Sequence, residues 1–217
     1  MIVEGKKVCD IIRGYAAFFE LFAKDVMEMK LLVLFHTVTG NNYLIGKLFA
    51  QAAEENGHTV IIRRIEDNTM DDLRDTYAII NDYYNAIKQI KIVEKGDLED
   101  QDVIVVGSPT YYGSISGKMK VFFDSLVNCW SNNTLYKKKL MTFTTVGDVN
   151  GGGEMCLKSL ITIGQHMGMQ FVPVSPYMTA NGVSSYGIKH FVGELADRRP
   201  ADSVKNAVKL WIDSLQP

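Results

Sequence analysis

Five short apolar runs, each closed by turn-forming residues, set the strongest limit on what this chain can fold into. They fall at residues 31–35, 59–62, 103–106, 140–144 and 169–174. Continuous rather than alternating apolarity marks strands covered on both faces. Between them lie stretches of helical period. Residues 40–56 place Leu44, Ile45, Leu48, Phe49 and Ala52 on one face, with Gly57 as the stop signal. Ile115, Met119, Phe122, Phe123 and Leu126 form a second such face, residues 155–167 a third helix, and Val204, Val208, Trp211 and Leu215 mark the last. Residues 66–102, with eleven acidic residues against four basic ones, predict helix and loop on the surface. Alternating strands and helices joined by right-handed crossovers give an α/β fold. The expected form is a doubly wound, five-stranded parallel sheet of order 2-1-3-4-5 over residues 30–217, with helices on both faces. Ligands of such a sheet sit beyond the carboxyl ends of the strands, where the strand order reverses.

Composition removes several classes of function. A net charge of −2, from 23 basic and 25 acidic residues, provides no field to hold nucleic acid or an anionic membrane. Cys9, Cys129 and Cys156 form no CxxC pair, so neither a metal site nor a disulfide framework is expected, and a reducing, cytoplasmic setting follows. No apolar run approaches the ~20 residues that cross a bilayer. Residues 1–29 carry too many acids for an organellar presequence. Ile11, Tyr15, Phe18, Phe19, Phe22 and Val26 recur at helical spacing, which predicts an amphipathic helical extension that docks on the body or on a second subunit. A start at Met27 or Met29, with the extension no part of the native protein, is the equal alternative.

Function must then be argued from three loops. The first, Thr37-Val38-Thr39-Gly40-Asn41-Asn42, runs into a helix whose free amides and positive dipole end can wrap a phosphate monoester, although the threonines could simply cap the helix. It is neither a GK[ST] P-loop nor a GxGxxG fingerprint. In the second, Pro109-Thr110-Tyr111-Tyr112-Gly113, paired tyrosines among small residues suit a planar ligand. The third, residues 145–152 with Thr145, Val146, Gly147, Asp148, Gly151 and Gly152, is dense in glycine, which lets backbone amides approach a ligand closely.

These motifs resemble a known family. From about Lys30 onward the chain is similar to the flavodoxin-like NAD(P)H:quinone oxidoreductases of the WrbA type, most specifically in GSPTYYGSISGKMKVFFD (107–124) and LYKKKLMTFTTVGDVNGGGE (135–154). The resemblance implies FMN, its phosphate on residues 37–42, its isoalloxazine lined by residues 110–113 and its pyrimidine side facing residues 145–152. It implies that Trp130 borders the substrate pocket. It also implies a catalytic histidine just before a Gly-Met pair. Here Met167 precedes Gly168-Met169 and the histidine is His166, one place earlier, a turn of about 100° on a helix. Asn42 stands where flavodoxins commonly carry a hydroxyl.

The implied reaction is transfer of two electrons as hydride from NADH or NADPH to flavin N5, and from there to a quinone; His166 donates a proton or hydrogen bond to the quinone oxygen where a shifted helix brings it to the flavin, and is otherwise an exposed or core histidine. A homodimer or homotetramer is implied, with Trp130 and residues 174–200 meeting a neighbour. The alternative is a flavodoxin-type electron carrier serving a protein partner. Such carriers are strongly acidic around the flavin, a field this chain lacks.

Overall fold

A computed structural model describes residues 27–180 and 183–215. Met29–Leu215 form one compact unit; the segment preceding it is a second unit, of which only Met27 and Glu28 are described. The expected amphipathic helix therefore lies outside the described residues.

Strands β1 (Lys30–Phe35), β2 (Thr59–Arg64), β3 (Val103–Pro109), β4 (Lys139–Val146), β5 (Gln170–Phe171) and β6 (Ile188–Phe191) pair in parallel, in the order β2-β1-β3-β4-β5, with β6 also on β4. Side chains of β1 alternate between two cores. Leu31, Val33 and Phe35 face a cluster containing Ile45 and Phe49 of the helix Asn41–Glu55 and Trp211 of the helix Asp202–Asp213. Leu32 and Leu34 face another, with Met119 of the helix Gly117–Asp124 and Leu160 of the helix Gly153–His166. All five of these β1 side chains are fully buried, each worth roughly 1.5–3 kcal/mol of apolar transfer. Sheet burial on both sides is what the unbroken apolar runs require.

The fifth strand position departs from expectation. The run 169–174 predicts one strand, but only Gln170–Phe171 pair, opposite Lys139 and Leu140. Pro173 has no amide proton to donate to a ladder. The chain leaves the sheet, forms the short helix Pro176–Ala180, and returns as β6, which pairs Phe143–Val146. The return is held where the Thr142 hydroxyl donates to the Tyr186 carbonyl at 2.7 Å. One strand position is thus filled in two pieces.

Residues 66–102 fold as short helices, Thr69–Leu73 and Tyr84–Gln89, and two 3₁₀ turns, as the acidic composition predicts. Five apolar anchors, Met70, Ile80, Ile87, Val93 and Leu98, are nonetheless buried there. Among the described residues no helix is long and apolar enough to cross a membrane, and no group of three or more metal-ligating side chains gathers.

Candidate functional site

Strand register brings the three loops to one edge. Phe35 pairs with Gly107, and Pro109 with Thr145, so β1, β3 and β4 end side by side. This is the crevice where the chain order of the sheet reverses.

The first turn is buried and tightly tied. Gly40 takes φ +91°, a left-handed conformation that glycine adopts without strain, and a Cβ there would come within 2.9 Å of the Tyr83 ring. The Gly40 amide donates to the Thr37 hydroxyl at 3.1 Å. Asn42 donates from Nδ2 to the His36 carbonyl at 2.9 Å, and Asn41 to the Ala196 carbonyl at 2.7 Å. The Asn42 side chain thus ties the turn to the start of its helix. The helix Asn41–Glu55 begins without a side-chain cap. Among the described residues no acceptor takes the amide protons of Val38, Thr39, Asn41, Asn42 or Tyr43. Unpaired donors at the positive end of a helix, on half-buried Val38 and Thr39 and buried Asn41, Asn42 and Tyr43, are suited to an anion.

The second loop is a two-residue hairpin. Tyr111 and Ser114 exchange backbone hydrogen bonds at 3.0 Å, and Tyr112 (φ 53°) and Gly113 (φ 74°) supply the left-handed pair such a turn needs. Holding a tyrosine at positive φ costs about 1–3 kcal/mol, and its ring is fully exposed, so nothing in the fold itself repays the strain. Thr110 faces inward: its amide donates to the Thr145 carbonyl at 2.8 Å and its hydroxyl meets that of Thr144 at 2.8 Å. Thr110 thus joins the second and third loops. They touch again where Gly152 packs so closely on Gly113 that a Cβ would lie 2.7 Å from its Cα.

The third loop is exposed from Gly147 to Gly151, while Thr145 and Val146 are buried in β4. Asp148 shapes it, accepting the Asn150 amide at 2.7 Å through its carboxylate and the Gly151 amide at 3.0 Å through its carbonyl. These features give a crevice with anion-binding amides at one end, a tyrosine hairpin in the middle and a glycine-rich flank.

Three further features carry no motif. His36 and Asp67, both buried, meet at 2.7 Å beneath the first turn. Burial alone would raise the Asp67 carboxyl, but hydrogen bonds from His36 and Thr69 outweigh it and hold the group well below the usual carboxylate range. Burial, and secondarily the Asp67 charge, pushes the Tyr111 phenol up, which keeps it a neutral donor. Residues 193–199 form a fourth wall after β6, with Ala196 and Arg199 bonded to the first turn and the Gly193 carbonyl 3.6 Å from where a Gly147 Cβ would stand. Tyr83, which covers Gly40, comes from the acidic segment. Of these, the glycine and paired arginines in the stretch Gly193 to Arg199, just after the last strand, are the only sequence signal.

The structure does not bring His166 or Trp130 to this crevice. His166 closes the helix Gly153–His166, which starts at the third loop and runs back along the sheet; its 14 residues span about 21 Å. Trp130, 59% exposed, lies with His166 at a separate depression of about 420 Å³ at the opposite edge of the sheet. Within one chain neither reaches the loops, because a helix that leaves the carboxyl edge must end at the other.

The family described as NADPH-dependent FMN reductase matches residues 29–183. A protein of Caulobacter vibrioides (strain NA1000 / CB15N) named NAD(P)H dehydrogenase (quinone) is 28% identical over 181 residues, covering 80% of this chain and 88% of its own length. One of the same name from Deinococcus radiodurans is 29% identical over 145 residues, covering 67% of this chain and 72% of its own. Among solved structures, a flavodoxin, WrbA-like protein from Agrobacterium tumefaciens superposes with a TM-score of 0.61 at 18% identity, over 86% of this chain and 94% of that one.

Proposed function

The chain belongs to the NADPH-dependent FMN reductase family, and from that premise we propose that it uses FMN to pass two electrons from NAD(P)H to a quinone. The observation that carries this reading is the set of free amides in the first turn, set along one sheet edge with the tyrosine hairpin. A phosphate monoester meets the first and a flat ring the second.

Bound FMN supplies a hydride-accepting ring position that a nicotinamide can reduce and a quinone can discharge. The polypeptide does the positioning. Amides of Val38, Thr39, Asn41, Asn42 and Tyr43 hold the phosphate, and the hydroxyls of Thr37 and Thr39 add donors. Thr110 fixes the hairpin on β4, so that Tyr111, Tyr112 and Gly113 line the ring face. Pro109 sets the hairpin's entry. Amides between Thr145 and Gly152, from the peptides of Val146, Gly147 and Asp148, face the pyrimidine edge and favour negative charge there, with Gly151 and Gly152 letting the chain approach. Buried Val146 and Phe143 keep water from the floor.

His166 and Trp130 enter the reaction only across a subunit boundary, where a second copy turns its lower edge toward the crevice. A homodimer or homotetramer is part of this proposal, as is a cytoplasmic setting. The curated relatives carry the name NAD(P)H dehydrogenase (quinone), which favours an enzyme over a carrier.

The test is direct. Protein reconstituted with FMN is expected to be yellow and to oxidise NADH or NADPH with benzoquinone as acceptor, and the same sample is sized by light scattering. Bound flavin with no quinone-dependent oxidation would leave the carrier reading instead. A fully active monomer would remove His166 and Trp130 from the chemistry.

A further inference from the structure

We propose that Arg199 is a positioning residue for the phosphate of the cofactor, acting by locking the first turn from outside; this rests on the reading that the turn holds a phosphate. Arg199 donates from Nη1 to the Thr39 carbonyl at 2.7 Å. The amide on the far side of that same peptide, Gly40 N–H, donates to the Thr37 hydroxyl at 3.1 Å. One peptide plane is therefore pinned at both ends. With its carbonyl drawn outward to a cation, the neighbouring amides keep the orientation that leaves them unpaired.

The guanidinium is itself fixed. Its Nη2 donates to the Asp82 carboxylate at 2.7 Å and to the Ile79 carbonyl at 3.4 Å, and its plane lies over the Tyr83 ring with 5.1 Å to the centroid. Tyr83 in turn covers Gly40. Arg199 is the one cation hydrogen-bonded to this turn among the described residues, and its side chain is 23% exposed. Asp82 is more than half exposed, so this ion pair contributes little stability by itself and serves to aim the guanidinium at the turn. A planar, permanently charged fork can serve three acceptors and a ring face at once; an ammonium cannot. The chain after β6 thus contributes to the cofactor site from a distance of about 160 residues in sequence.

Apoprotein of wild type, Arg199→Ala and Arg199→Lys is titrated with FMN and, separately, with riboflavin, which lacks the phosphate; quenching of flavin fluorescence reports binding. The expected result is a rise of about tenfold in the FMN Kd of Arg199→Ala, with the riboflavin Kd changed less than about twofold, and partial recovery in Arg199→Lys. Equal weakening of both flavins, or no change in either, overturns the proposal. If Arg199→Ala does not fold, Arg199→Lys against Arg199→Gln decides it: equal FMN affinity in those two rejects a role for the charge. Wild type that binds no FMN would fail the parent reading instead.

Discussion

The first and third turns stand at the same edge of the same sheet and are built in opposite ways. In the first, Thr37, Gly40, Asn41 and Asn42 are buried, and two other parts of the chain hold it from outside: the Tyr83 ring, and the segment 193–199 through the Ala196 carbonyl and the Arg199 side chain. In the third, residues 147–151 are exposed and the shaping bonds are internal to the loop, centred on Asp148. A phosphate dianion needs donors already aimed, since misdirected amides in a buried turn cannot be rearranged cheaply. A ring edge whose charge changes with its redox state is better served by a loop free to adjust. On the proposed reading, the contrast assigns stiffness to the end that recognises and compliance to the end that reacts.

The sharpest attempt to break this contrast is Gly40→Ala. A side chain at φ +91° and the collision with Tyr83 should cost about 2 kcal/mol of folding stability and most of the FMN affinity, read by thermal melts and flavin titration. Unchanged binding would show that the first turn is less rigid than its packing implies.

Next in size is Asp67→Asn, which loosens the floor of the same turn by depriving buried His36 of its carboxylate partner, at a cost of about 1–3 kcal/mol. The sign with pH follows from the depressed carboxyl. A folded-state pKa below the unfolded value of about 3.9 gives stability that is fully present above that value and lost as pH falls through the folded one. Urea unfolding should therefore show the wild type ahead of Asp67→Asn at pH 5, with the gap narrowing by pH 3. A constant gap would detach the effect from ionisation.

The smallest effect belongs to the third turn. Asp148→Ala removes an exposed turn bond and should change stability by less than about 0.5 kcal/mol, with FMN affinity held. A loss comparable to that of Gly40→Ala would erase the distinction between the two turns.

Much of this was legible from the chain alone, for a physical reason. Unbroken apolar runs such as Leu31 to Phe35 have no stable home except a sheet covered on both sides, and the βα alternation then dictates the order and the working edge. The loops after β1, β3 and β4 followed. What stayed hidden depends on contacts distant in sequence. Nothing local to Tyr83 or Asp67 says that either ends against the first turn, and the paired arginines after the last strand do not say that Arg199 reaches Thr39. The apolar run 169–174 does not by itself show that Pro173 leaves the fifth position half filled. His166 is a different case: its neighbourhood in sequence resembles a family motif, while the direction of its helix, itself implied by the alternation, carries it to the far edge of its own chain, so any role at the crevice is toward a second copy.

The divided outer strand bears on how a protein of this kind can diverge. β5 and β6 are registered on β4 independently, Gln170 against Lys139 and Ile188 against Phe143. The exposed part of the excursion between them can vary without sliding either half, so long as Met178 still fills the core and the Tyr186 carbonyl still finds Thr142. Specificity for new partners can accordingly be acquired on that flank while the crevice keeps its dimensions.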